Sequence, residues 1–291
     1  MPSLKNLRRR IRTVKNTKLI TRAMRSVSAS KMRRTQERRT KARPYVERLQ
    51  ALVANVVRAV GSENQPLLEI RDTQRRLLVV FSSDRGMAGA FNAVIQRYAA
   101  DYHDSLPEKP AIYAIGKKAG DYFRKRGYPL VKVQTDFRGN IDVPRILSIA
   151  AELRDMFLAG DYDVIELLYN RAISAMTYTP VREHFLPLDP RELDRLRAKT
   201  EESRMHDYIF EPDPESLLRE LLPRFVETKM LFTFVDAFAA EHQARMMAMS
   251  TANENCNELL TSLTLQMNKA RQASITKEIL EIVGGAEALK G

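Results

Sequence analysis

Residues 246–270 have the sequence MMAMSTANENCNELLTSLTLQMNKA, and this stretch decides the fold. Its apolar side chains recur in alternating steps of three and four, a heptad pattern that predicts a helix packed along one seam against a second helix. The seam positions are Met246, Met249, Cys256, Leu260, Leu263, Met267 and Ala270, with Asn253 as a polar interruption. The wider segment 224–283 has no Gly or Pro. At 1.5 Å per residue, this predicts a helix about 90 Å long.

The N-terminal segment is the candidate partner for this helix. Residues 3–60 contain no Gly and a single Pro, Pro44, which predicts a second long helix with a bend near Arg43. Its apolar stripe slips in spacing and then broadens after Pro44. The stripe before the proline is Leu4, Leu7, Ile11, Val14, Ile20, Met24 and Val27. If both helices leave a central domain near residues 60 and 215, antiparallel pairing places residue n opposite about residue 275 − n.

The C-terminal end of the long helix has no partner within the chain under this register. Leu4 would face about Arg271, so roughly 18 residues, or about 27 Å of helix, extend beyond the N-terminal helix. This end is nevertheless apolar at Ile275, Ile279, Ile282 and Val283. Because water disfavours such a stripe, we expect other chains to surround it. Gly284 and Gly285 predict that the helix ends there.

Between the helices the apolar period changes to that of buried strands alternating with amphipathic helices. Strands are predicted at 77–81, 111–115, 130–133, 162–168 and 181–186, and helices at about 90–102, 117–126 and 144–158. This alternation predicts an α/β domain with a largely parallel sheet. The predicted domains are residues 1–60 (N-terminal helix), 75–205 (Rossmann-like domain) and 212–289 (C-terminal helix), with Asp213 or a neighbour as the N-cap.

The charge of the chain is concentrated at its N-terminus. The net charge is +12, yet residues 1–43 contain 16 Lys and Arg against one acid, Glu37. Three interpretations stay open: a solvated face, a nucleic-acid surface, or a surface for an acidic protein. The absence of an aromatic residue before Tyr45 removes a stacking platform for bases. A single cysteine excludes an internal disulfide and fits a reducing cytoplasm, and no apolar run is long enough to span a membrane.

Catalytic motifs are weak in this sequence. The segments 86–89 (GMAG) and 116–118 (GKK) follow predicted strands, but neither has the Gly-Lys-Ser/Thr ending of a phosphate loop. The four histidines, including His242 near the seam, form no cluster with cysteine, and no nucleophile–base pair can be assigned. We therefore predict no active site, no cofactor and no metal site, although an α/β enzyme with helical extensions stays an alternative.

Several segments together resemble one family. Residues 268–286 (NKARQASITKEILEIVGGA) are similar to the terminal signature of the gamma subunit of F-type ATP synthases. The resemblance continues at 20–24 (ITRAM), 29–32 (ASKM), 83–86 (SDRG) and 244–249 (ARMMAM), and extends over the chain in order and length.

The resemblance implies a non-catalytic rotor shaft. In that family, two terminal helices form an antiparallel coiled coil that turns inside a ring of three alpha and three beta subunits. A Rossmann-like domain lies at the foot, against the epsilon subunit and the membrane rotor c-ring. Ion flow turns the ring and the shaft, whose asymmetry drives the catalytic sites of the complex. The implied location is peripheral, at the cytoplasmic face of a bacterial cell membrane.

The resemblance also implies contact residues, position by position. Those implied to contact the beta subunit are Met24, Arg271, Gln272, Thr276 and Glu278. Those implied to lie near the rotor ring are Tyr208, Phe210 and Glu211. The apolar residues at the C-terminal end would then form the tip of the shaft in its bearing.

Overall fold

The computed structural model describes residues 4–61, 65–71, 75–174, 177–189, 211 and 213–288. Its two long helices are α1 (Leu4–Val60) and α5 (Pro214–Ala288). Between them in sequence lie the strands β1 (Arg76–Phe81), β2 (Ala111–Ile115), β3 (Leu130–Gln134), β4 (Val164–Ala172) and β5 (Tyr178–Leu186). The intervening helices are α2 (Phe91–Ser105), α3 (Lys117–Lys125) and α4 (Val143–Leu158). The predicted class is confirmed: two long terminal helices with an inserted α/β domain.

The five strands form one mixed sheet in the order β3-β2-β1-β4-β5. All neighbouring strands are parallel except β4 and β5, which are antiparallel. In the centre, Val79 pairs with Tyr113 on one side and Leu167 on the other. Residues 77–81 are at most 1% exposed, which explains their continuous apolar run, because a central parallel strand is covered on both faces.

The chain forms two compact units, of which residues 29–245 are the larger. In this unit, α1 and α5 share an apolar core with one face of the sheet. Val53 of α1, Phe234 of α5 and Phe81 of β1 all belong to it. An ion pair also joins the helices, with Arg39 Nε 2.7 Å from Asp236 Oδ1. The predicted register places residue 236 opposite residue 39, in agreement with this pair.

The smaller unit consists of residues 1–28 and 246–291. Met249, Cys256 and Leu263 are each at most 7% exposed, which confirms the predicted seam on α5. The amide of Asn253 donates to the Lys18 carbonyl (3.0 Å) and to Thr21 Oγ1 (3.3 Å). The predicted register places residue 254 opposite residue 21. The antiparallel pairing is therefore confirmed in this unit as well.

The predicted stripe on α1 is wrong between residues 18 and 28. Ile20 and Val27 are 59% and 57% exposed, whereas Thr21 and Ser28 are buried. The seam keeps its heptad spacing through Lys18, Thr21 and Ser28, and no slip occurs. The prediction missed the continuous heptad spacing because it considered apolar side chains alone, whereas the seam positions in this stretch are polar.

The helix ends differ from expectation at one place. The amide of Ser216 donates to Asp213 Oδ1 at 2.8 Å, which confirms the predicted N-cap. The predicted end at Gly284 and Gly285 is wrong, since α5 continues to Ala288. Glycine costs about 1 kcal/mol in a helix but keeps its backbone N–H, so it weakens the helix without ending it.

Two sequence predictions stay predictions. Helix α1 is continuous across Pro44. The bend expected near this residue concerns the direction of the helix axis and stays a prediction. The domain bounds depend on residues 190–210, which lie outside the described residues. Within the described ranges, no helix has the length and apolarity needed to cross a membrane.

Candidate partner-binding surfaces

The C-terminal end of α5 exposes a row of large aliphatic side chains. Ile275, Ile279, Ile282 and Val283 are 48%, 54%, 71% and 57% exposed, and Leu280 is 65% exposed. The last half-buried position of the seam is Ser274. Because α1 begins at Leu4, opposite about residue 271, none of the described residues of α1 faces α5 beyond this point. Residues 275–283 are therefore an apolar helix face available to other chains.

The polar residues predicted at the same end are all exposed. Arg271, Gln272, Thr276 and Glu278 point away from the seam. Within the helix, Thr276 Oγ1 donates to the Gln272 carbonyl at 2.9 Å. Ser274 Oγ donates to Glu278 Oε1 at 3.3 Å. The structure thus brings the predicted contact residues onto the exposed turns that carry the aliphatic row.

A second apolar surface lies on α1. Met24 is half-buried beside the seam. Leu19, Ile20 and Val27 are 66%, 59% and 57% exposed and lie on the outer side of the helix. Sequence analysis missed this patch because it assigned Ile20 and Val27 to the seam; a strict heptad count from Leu4 would have placed them outside it. The patch stands among the cations of the basic N-terminal segment, an arrangement that suits an acidic partner with apolar side chains.

The predicted rotor-ring contacts lie at the edge of the described chain. Tyr208 and Phe210 are outside the described residues. Glu211 is described and exposed, shortly before the start of α5.

Side chains of the loop after β1 cap the helix that follows β2. In a parallel sheet, phosphates usually bind at helix N-termini beside the carboxyl ends of the strands. At the start of α3 this position is taken by Asp84, whose Oδ1 accepts from the amide of Lys117 at 3.1 Å. Ser82 Oγ accepts from the amide of Ala119 at 2.7 Å. Segment 116–118 is therefore a structural turn, whose first helical amides already have acceptors within the chain.

The C-terminal helix α5 also contacts residues near this edge. The ring of Phe234 lies 5.0 Å from Phe81 and 5.1 Å from Phe137, and Phe238 lies 6.0 Å from Phe137. Ala240 and Ala244 pack against Ala88 and Phe91 just beyond. The rings Phe81, Phe137, Phe234 and Phe238 thus belong to the buried core that α5 shares with one face of the sheet.

His242 is a buried residue whose imidazole is bonded to the backbone. Its Nε2 lies 2.8 Å from the Gly139 carbonyl, so this nitrogen carries the proton. Burial lowers the pKa of His242 to about 4, which keeps the ring neutral. No cluster of three metal-ligating side chains occurs in the part of the chain that the structure describes.

Comparisons with known proteins give one consistent result. The family model described as ATP synthase matches residues 3–289. An ATP synthase gamma chain from Pelotomaculum thermopropionicum is 39% identical over 290 residues, with both chains fully covered. One from Moorella thermoacetica is 40% identical over 291 residues, also with full coverage of both.

Solved structures share the fold. A chain from the Euglena gracilis mitochondrial ATP synthase (OSCP/F1/c-ring) has a TM-score of 0.67 at 21% identity, covering 98% of this chain and 94% of that one. A chain from the central stalk/c-ring structure of the Tetrahymena thermophila mitochondrial ATP synthase has a TM-score of 0.59 at 24% identity, covering 80% of this chain and 99% of that one.

Proposed function

The chain belongs to the ATP synthase gamma chains, a non-catalytic subunit family, and from that premise we propose that it is the central rotor shaft of an F-type ATP synthase. The observation that carries the proposal is the apolar end of α5. Five aliphatic side chains between residues 275 and 283 are about half exposed or more. Such a row would be unfavourable in water, so it requires a surrounding partner.

The proposed mechanism needs rotation rather than chemistry. The apolar tip turns inside a ring of three alpha and three beta subunits, because contacts between aliphatic surfaces are non-directional and can slide. Ion flow turns the c-ring, and the shaft turns with it. Its unequal sides then present different contacts to the three catalytic sites in succession, whether the complex synthesises or hydrolyses ATP.

Specific contacts are assigned to the exposed polar groups. Arg271, Gln272, Thr276 and Glu278 engage the beta subunit near the tip, since charge-assisted hydrogen bonds provide the direction that the aliphatic row lacks. Met24 and its neighbouring patch meet an acidic segment of the same subunit. Tyr208, Phe210 and Glu211 lie near the c-ring. The epsilon subunit contacts the sheet domain, the α/β domain that contains strands β1 to β5 (residues 76–186). The complex places the chain at the cytoplasmic face of a bacterial cell membrane, as a peripheral component.

Introduction of charge into the aliphatic row tests the proposal. The double variant Ile279→Glu, Ile282→Glu places carboxylates in the aliphatic row, where a dry bearing would have to desolvate them. Lys277→Glu is the control, because Lys277 is 78% exposed, lies one turn or less before Ile279 and changes the net charge by the same amount as the double variant. We expect the double variant to lower the yield of complex with alpha and beta subunits at least about tenfold, equivalent to about 1.4 kcal/mol. Equal yields for both variants would contradict the bearing.

A further inference from the structure

The loop between β3 and α4 has an unusual backbone. Asp136, Arg138 and Gly139 have φ values of +70°, +51° and +69°. Residues other than glycine rarely adopt positive φ values, and they keep them only where surrounding contacts hold the backbone in place. Residues 136–140 are called the latch loop below.

Contacts from three directions hold the latch loop. Asp84 Oδ2 accepts from the amide of Arg138 at 2.7 Å. Lys31 of α1 donates to the Arg138 carbonyl (3.3 Å) and to Asn140 Oδ1 (3.0 Å). His242 of α5 donates to the Gly139 carbonyl at 2.8 Å. A five-residue loop of the sheet domain is therefore bonded to both long helices.

Apolar packing and one further bond support the same junction. Phe137 is 4% exposed and packs against Phe234 and Phe238 of α5. Next to the loop, Arg245 Nη2 reaches the Arg85 carbonyl at 3.5 Å, while its Nη1 lies 2.7 Å from Glu241 Oε1. The buried Glu241 thereby orients a cation that bridges α5 and the turn after β1.

From this arrangement we infer that the latch loop, with Lys31 and His242, fixes the sheet domain to both helices against twisting. The inference rests on the proposed function, since a shaft driven from its foot must pass torque from the sheet domain to the helices. The shared apolar core also joins them, but apolar contact is non-directional and resists sliding weakly. Hydrogen bonds have preferred angles and oppose such sliding. Lys31, Gly139 and His242 are thus positioning residues of the rotor.

Gly139 gives a selective perturbation with a matched control. A Cβ built at Gly139 would lie 2.5 Å from His242 Cε1, so Gly139→Ala must displace the loop or the imidazole. Gly127 has a similar φ of +74° and nothing within 4 Å of its built Cβ. Gly127→Ala therefore carries the same backbone penalty without touching the junction. A second pair of variants makes the test independent of backbone strain at a glycine. Lys31→Met removes the two hydrogen bonds from Lys31 to the latch loop, and Lys41→Met, which changes an exposed lysine of α1, is its control.

Hydrogen exchange on the full-length chain measures whether the loop is held. We expect amide exchange in residues 137–140 to be about tenfold faster in Gly139→Ala and Lys31→Met, and unchanged in the two controls, since about 1.4 kcal/mol of opening free energy corresponds to tenfold. Exchange that matches the controls would overturn the latch.

Angular fluctuation of the assembled complex measures the torque role. A bead attached to the sheet domain, with the alpha–beta ring fixed and no ATP present, reports the stiffness of the junction. Because the variance of the bead angle is inversely proportional to stiffness, a latch that supplies half of the stiffness of the junction doubles this variance when it is lost. Unchanged variance together with faster exchange would overturn the torque role. Failure of the wild-type chain to assemble would count against the proposed function, while hydrogen exchange would still decide whether both helices hold the loop.

Discussion

Replacing Asp236 with Asn is expected to stabilise the chain at alkaline pH. The Asp236 residue is 2% exposed and lies between two guanidinium groups, with Oδ1 2.7 Å from Arg39 Nε and Oδ2 3.7 Å from Arg171 Nε. The Arg39 contact is an ion pair whose angle is poor for a hydrogen bond. Burial raises the pKa of Asp236 to about 6, even though both cations act to lower it.

The sign of the pH effect follows from this raised pKa. A carboxyl that titrates near 3.8 in the unfolded chain and near 6 in the folded one binds its proton more tightly when folded. The resulting stability is complete below pH 3.8 and is lost as the pH rises through about 6. At 1.36 kcal/mol per pH unit the loss is about 3 kcal/mol. Asparagine stays neutral, so Asp236→Asn avoids this loss. Arg39 and Arg171 are about one-third exposed and stay solvated without the carboxylate.

Urea unfolding of the isolated chain measures the effect. We expect Asp236→Asn to raise the free energy of unfolding by about 1–3 kcal/mol at pH 8, and by about 1 kcal/mol or less at pH 4.5. Asp155→Asn is the control, because that carboxyl is 64% exposed and pairs with Arg154 at the surface; its effect should stay within about 0.5 kcal/mol. A variant that is less stable than wild type at pH 8, or a gain independent of pH, would refute the reasoning.

Three further predictions concern the tip, a turn and the register. Arg271→Ala should lower the steady-state ATPase rate of the purified complex by about tenfold, more than deletion of residues 286–291 does, because a charge-assisted contact of about 1.5–3 kcal/mol is lost; greater damage by the deletion would make the tip an anchor. Gly116→Ala should cost about 3 kcal/mol or more in urea unfolding, since its built Cβ lies 2.2 Å from a backbone oxygen at φ +93°; a loss below about 1 kcal/mol would contradict that geometry. The pair Thr21→Cys, Asn253→Cys, with the native cysteine replaced, should close an internal disulfide under mild oxidation; no closure would place the register elsewhere.

The fold was largely predictable because the apolar periodicity and the positions of the turn residues indicate the same helices and strands along the chain. The five strands and three short helices follow from apolar runs separated by turn residues, and each was predicted to within a few residues. The register was predictable because the two long helices leave the sheet domain at known positions. One such inference, that residue 236 faces residue 39, agrees with the observed ion pair.

Features set by tertiary contacts were not predictable from one sequence. The seam through Lys18, Thr21 and Ser28 carries no apolar signal, so it becomes visible when a facing residue such as Asn253 is known to contact it. The helical state of Gly284 depends on the turns before it, since glycine weakens a helix without blocking its hydrogen bonds.

The junction of the sheet domain and the helices was also hidden. Asp136 and Arg138 are ordinary loop residues in sequence, and both have positive φ. Arg138 is held there by bonds to Asp84 and Lys31, which are more than fifty and more than one hundred positions away. The burial that raises the pKa of Asp236 depends on α1 and β4 packing beside α5, which also brings Arg39 and Arg171 to its carboxylate. Neither long-range pairing leaves a periodic pattern in the sequence. Contact residues at the tip were recognised through family resemblance, and their roles stay proposals.

Rotation of the assembled complex tests the central claim most directly. The chain would be combined with the alpha and beta subunits of the same organism, the ring fixed to a surface, and a bead attached to a cysteine introduced at the exposed Val131 on β3. The account predicts sustained rotation of the bead in one direction when ATP is added, with no rotation in its absence. A complex that hydrolyses ATP while the bead stays stationary, or a chain that forms no complex with the ring, would contradict it.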